Sequence, residues 1–204
     1  MSHEKRAATE RPINDLIARR WSPRAISGRG VEREKLAALF EAARWAPSCF
    51  NEQPWKYVFA TRDDPQAFET LASLLVEGNS WAKEAHVLAI SVARLSFQRN
   101  GRPNPHAWHD VGAASENMFL QATELGLCMH EMAGFDRARA RQVLGLDADH
   151  DPVAMIAIGY PGRPDDLPEK LRERELEPRV RLSVERFVFE GAWGAPADFP
   201  KGAR

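Results

Sequence analysis

The chain has 204 residues, of which 44% are hydrophobic and 28% charged, with a formal net charge of −1. That composition excludes a chain disordered over most of its length, and the near balance of 28 basic and 29 acidic residues disfavours a polyanion binder. No apolar stretch approaches the roughly 20 residues needed to span a bilayer.

The opening MSHEKRAATERP has no apolar signal core, so a cytoplasmic location is expected. Residues 1–11 are polar and are expected to be flexible, with one domain over 12–204. A helix is predicted from residue 12 or 13 to 19, on the spacing of Ile13, Leu16 and Ile17. Pro23, Gly28 and Gly30 then break the chain. Leu36, Leu39, Phe40 and Ala43 predict a second helix over 32–44, stopped by Pro47. WKYVFAT at 55–61 reads as a strand, and 65–76 as a helix followed by a loop at EGNSW. Residues 86–93 form an unbroken apolar run, the pattern of a strand buried on both faces. The longest helical pattern covers 105–127. A short helix is expected over 136–144, a strand over 152–159, a charged loop over 161–177, and a final strand in VERFVFE. Without strict β-α-β alternation, this order favours an α+β fold.

Nucleotide fingerprints are nearly absent. Gly28-Arg29-Gly30 has Arg33 where a third glycine is needed and no strand before it, and there is no GxxxxGK[ST] loop. His106, His109 and Asp110 could share a helix face, but no further ligand completes a zinc spacing, so surface histidines and no metal site are expected. Cys49 has no identifiable base, which leaves a buried or bystander thiol ahead of a nucleophile. Arg20 and Arg24 follow the first helix and Arg179 and Arg181 lie near the C-terminus. Such guanidinium forks match phosphate oxygens, although on charge alone pairing with Glu173, Glu175, Glu177 and Glu185 is the favoured reading. In APSCFNEQPW, prolines fix the backbone while Ser48, Asn51 and Gln53 offer donors and acceptors to a planar polar ligand, or form an ordinary turn.

Five segments occur together in order: RRWSPR at 19–24, APSCFNEQPW at 46–55, EGNSWAKEAHV at 77–87, HEMAGFD at 130–136, and GYPG at 159–162 followed by PRVRL at 178–182. In this the chain resembles the FMN-dependent nitroreductase family. The resemblance implies an α+β fold with a central mixed or antiparallel sheet flanked by helices. It also implies an intertwined homodimer, with 95–110 as a candidate lid and a C-terminal arm reaching the partner subunit. FMN would be bound, with NADH or NADPH as transient donor. Arg20, Trp21, Ser22, Arg24, Arg179 and Arg181 would surround its phosphate end, with Trp21 contributing its backbone. Pro47, Ser48, Cys49 and Asn51 would come from the partner, Cys49 standing where the family usually has serine. Asn79 would meet the ring's polar edge, and the amides of Ala133 and Gly134 would approach the reactive N5. The implied activity is ping-pong reduction of nitroaromatics, quinones or similar electron-poor acceptors, with no side-chain acid, base or nucleophile required. A reductive dehalogenase, a flavin-destroying enzyme or a non-catalytic FMN-binding redox module on the same scaffold are the alternatives.

Overall fold

The computed structural model describes residues 5–199; residues 1–4 and 200–204, the outer ends of the expected flexible N-terminus and C-terminal arm, lie outside the described residues. At the centre is a five-stranded sheet made of β1 (Ile26–Ser27), β2 (Trp55–Thr61), β3 (Val87–Arg94), β4 (Cys128–Met132) and β5 (His150–Pro161). Every pairing is antiparallel. β3 lies between β2 and β5, while β5 also carries β4 along Met155–Gly159 and β1 at Tyr160 and Pro161.

The helices are α1 (Asp15–Arg19), α2 (Arg33–Arg44), α3 (Pro65–Ala72), α4 (Ala107–Glu124), α5 (Arg137–Val143) and α6 (Glu169–Leu176). Alternation along β3 and β5 divides the core in two. Val87, Ala89, Ile156 and Ile158 pack with α2 and α4, whereas Leu88, Ile90, Met155 and Ala157 pack with α3, Trp81 and Ala140 of α5. Both faces of the central strands are therefore covered, which is why the 86–93 run shows no polar alternation. Fully burying each of these large side chains contributes about 1.5–3 kcal/mol.

Local chemistry sets the element ends. The Asn14, Asp64 and Asp136 side chains accept backbone N–H bonds at the starts of α1, α3 and α5. α4 closes at Leu125, after which Gly126 takes φ +71°, the left-handed conformation that ends helices at low cost in glycine.

Two expectations are corrected. VERFVFE is not a strand: Val184–Arg186 is a 3₁₀ turn and Phe189 forms an isolated bridge to Pro196, because among the described residues no strand pairs with the segment. The 161–177 segment is not all loop, since α6 forms there from strong helix formers (EKLREREL) whose charge concealed the helix. The EGNSW loop is a run of 3₁₀ turns over Glu77–Glu84. β4 went unread because Cys128 and Met132 face one core cluster and Met129 the other, with His130 and Glu131 interrupting the apolar pattern.

Candidate cofactor site

Three of the predicted arginines converge. Arg20 ends α1, with its guanidinium 3.6 Å from Glu116 and 5.4 Å from the Phe119 ring, both on α4. Arg179 arrives from the other end of the chain and donates to the backbone carbonyls of Lys5 (2.8 Å) and Ala18 (2.9 Å). Burial holds the Arg179 guanidinium below its ordinary pKa, and the positive charges of Arg20 and Arg181 lower it further. Arg181 is exposed, and its guanidinium donates to the Val180 carbonyl at 2.8 Å. Three like charges gathered where the side-chain bonds of Arg179 and Arg181 end on neutral carbonyls make an electrostatic environment that a dianion relieves. Beside them, Ala7–Arg11, Ile13 and the 179–187 segment line a cavity of about 530 Å³.

Arg24 has a different partner. Glu175 of α6 is 1% exposed, and its carboxylate accepts from the Arg24 N–H (3.0 Å) and the Ala25 N–H (3.1 Å), with the Arg24 guanidinium 4.0 Å away. The buried carboxylate thus fixes the course of the chain after Pro23. Ser22 is half-buried on that segment, and the Lys5 ammonium lies 5.0 Å from the Trp21 ring centre. His130 of β4 bonds to the Pro23 carbonyl at 2.9 Å, and burial holds its imidazole below the usual range. The sequence offers Glu175 as one of four acids that could pair with the arginines, and only packing shows that it is the buried one that meets Arg24.

Asn79 and Gly134, 55 residues apart, meet directly. The Asn79 amide donates to the Gly134 carbonyl at 2.9 Å. A β-carbon on Gly134 would lie 2.7 Å from Asn79 Nδ2 and 3.0 Å from Val76 Cγ2, so glycine is required by close approach. Ala133 beside it is exposed, and its carbonyl accepts from Phe135. The two segments form one backbone-lined shelf at the end of β4.

The segment after α2 forms a separate unit. Phe50, Asn51 and Gln53 have φ of 53°, 58° and 48°, left-handed values that cost a non-glycine residue roughly 1 kcal/mol or more each. The surroundings enforce them. Asp110, 2% exposed on α4, accepts from the Cys49 N–H at 2.9 Å, and Ser48 Oγ accepts from the Gln53 N–H at 3.1 Å. Glu52, whose side chain is 5% exposed, takes the Arg94 guanidinium at 2.8 Å and the Gln98 N–H at 2.6 Å. Pro47 and Asn51 are exposed, and Ser48 and Cys49 are half-buried. His109 contacts Asp110 at 3.1 Å, and of the HxxHD motif it is Asp110 that anchors this loop. Among the described residues no group of three or more His, Cys, Asp or Glu is arranged to hold a metal ion.

The model of the Nitroreductase family matches residues 17–160. The chain belongs to this family. A 15.4 kDa protein of Mycolicibacterium smegmatis from the ask 5′ region, named as uncharacterized, is 37% identical over 131 residues, covering 64% of this chain and 87% of that protein. The NADH dehydrogenase of Thermus thermophilus is 27% identical over 189 residues, covering 76% and 83%. A solved structure described as an oxidoreductase containing FMN superposes with a TM-score of 0.88 at 34% identity, covering 96% of this chain and all of that one. The α+β fold with its antiparallel sheet is that of nitroreductase-family oxidoreductases.

Proposed function

We propose that the protein is an FMN-dependent oxidoreductase that draws electrons from NAD(P)H and delivers them to nitroaromatic, quinone or similar electron-poor acceptors. The observation that carries this reading is the meeting of Arg20, Arg179 and Arg181 from opposite ends of the chain, with Arg179 and Arg181 lining one cavity, Arg179 bonded to the Ala18 carbonyl beside Arg20, and its charge disfavoured first by burial and then by its neighbours. A phosphomonoester of nearly two negative charges fits that cluster. The shelf where Gly134 leaves no room for a β-carbon beside Asn79 fits a flat ring approaching backbone. The bound FMN would supply the two-electron chemistry, in two half-reactions that use one space in turn.

Each remaining element has a binding or orienting task. Arg20, Arg179 and Arg181 hold the phosphate, and Glu175 sets the backbone of Trp21, Ser22 and Arg24 around it. Asn79 and the amides of Ala133 and Gly134 address the polar edge and N5 region of the ring. Pro47, Ser48, Cys49 and Asn51, rigidified by Asp110, come from the partner of a homodimer whose C-terminal arms exchange. The exposure of Val180 (75%), Leu182 (69%) and Trp193 (95%) on that arm supports the exchange, since a second subunit would cover them.

An anaerobic absorbance spectrum tests the reading. Bands near 450 nm, the general flavin absorption, that bleach on adding NADH or NADPH are the expected result. Flavin bands that neither donor bleaches would favour a non-catalytic binding module, and no uptake of FMN on reconstitution would overturn the proposal. Light scattering at micromolar concentration should give a dimer, and a flavin-loaded monomer would refute the shared site.

A further inference from the structure

The loop after α2 and the hairpin that follows β3 enclose a second site, and we infer that it binds the 2′-phosphate of the donor's adenosine, making NADPH the preferred reductant. The inference rests on the flavin-oxidoreductase reading and deepens it. Asn51, Glu52, Gln53, Lys56, Gln98 and Arg99 line an open groove of about 420 Å³. Its position follows from the fold: Lys56 lies on β2 directly after the left-handed loop, and the hairpin is closed by the Phe97 N–H bond to Arg102 O at 2.8 Å.

The charge arrangement selects an anion. Glu52 is the one acid in the lining, and it is already engaged by Arg94 at 2.8 Å and the Gln98 N–H at 2.6 Å, with Arg99 at 4.0 Å. Because Arg94 neutralises the acid, the groove keeps the positive charge of both Lys56 and Arg99. Lys56 is exposed and has no recorded partner among the described residues. Arg99 is held in place at the edge of that pair, 4.0 Å from the Glu52 carboxylate that Arg94 already balances, and its guanidinium sits 3.8 Å from the Phe50 ring centre and 5.3 Å from that of Phe97. Stacking on an aromatic face leaves the guanidinium edge free to donate in its own plane. The Gln53 and Gln98 side chains add neutral polar groups at the same rim.

A 2′-phosphate is a monoester with close to two charges, so it gains more from two adjacent cations than the single charges of a pyrophosphate do. NADH presents only hydroxyls there. The groove adjoins Asn51, in the loop assigned to the flavin ring, so a donor placed over the ring can extend its adenosine end along it. Phe50, 68% exposed, gives that end an apolar edge.

Calorimetric titration of the purified, flavin-loaded protein with adenosine 2′,5′-bisphosphate and with adenosine 5′-monophosphate isolates the one phosphate in question. The bisphosphate should bind about tenfold or more tightly, the scale of one or two hydrogen bonds to a charged group. Arg99→Ala and Lys56→Ala should each remove most of that ratio, while Arg99→Lys keeps part of it. The ratio of kcat/KM for NADPH over NADH should fall in parallel. Equal binding of the two nucleotides by the unmodified protein, or variants that weaken both equally, would overturn the assignment. Flavin content, read from absorbance in the same samples, separates this failure from failure of the FMN reading. Both side chains are surface groups, and an unchanged melting temperature confirms that the variants fold.

Discussion

Gly134 shows how one missing methyl group can shape a site. Its place against Asn79 and Val76 leaves no volume for a side chain, and the Asn79 amide that would be displaced is the one bonded to its own carbonyl. Gly134→Ala should therefore lower stability by about 1–3 kcal/mol, the usual cost of overpacking, and weaken FMN binding by moving Asn79. A chemical melt with FMN titration checks both, and a variant matching the parent in each would show that the shelf is not tight. The arginines act otherwise, through charge and not volume. Arg181 is exposed, so Arg181→Ala should leave the fold intact and lower FMN affinity by about tenfold, the scale of a hydrogen bond to an anion. Retention of full FMN affinity would remove it from the phosphate site.

At the scale of elements, α6 exists to deliver Glu175. The helix is charged along its length, yet this one carboxylate is buried and serves two backbone N–H groups of the 24–25 turn. Glu175→Ala strands both donors and should cost about 1–3 kcal/mol for each one left unsatisfied. FMN affinity should fall as well, although Glu175 belongs to no phosphate contact. Denaturant unfolding alongside FMN titration measures the two effects, and a loss of stability with unchanged affinity would refute the positioning role. β4 carries a half-buried acid, Glu131. Burial holds the Glu131 carboxyl above its ordinary range, Ser115 opposes that effect, and the Glu116 charge adds to it. With its pKa raised in the folded state, Glu131 adds stability at low pH that is lost as pH rises from the unfolded value through the folded one. The melting temperature of Glu131→Gln relative to the parent should therefore climb as pH rises above about 4, the ordinary carboxyl range. A difference that stays flat would mean the carboxyl is ionised in the folded protein as readily as in the unfolded chain.

At the scale of the molecule, local signals and long-range ones divide cleanly. The amino-acid order by itself determined the span of β2, the double-sided burial of β3, the positions of α2 and α4, and the family, because these rest on periodicity, capping residues and motifs read within short windows. It also singled out the arginines at both termini, although charge alone favoured pairing with acids over phosphate binding. Tertiary structure decided which of these groups meet. It turned Arg24 toward Glu175 and left Arg20, Arg179 and Arg181 together, since which cations meet depends on where residues more than 150 positions apart are packed. The same holds for Asn79 against Gly134, for Asp110 beneath Cys49, and for β4, whose mixed side chains make sense only between two core clusters. Hydrophobic spacing is a property of neighbours along the chain and survives in the sequence. Burial of a chosen carboxylate, or room for a methyl group, is a property of neighbours in space and becomes determined only when the chain is folded.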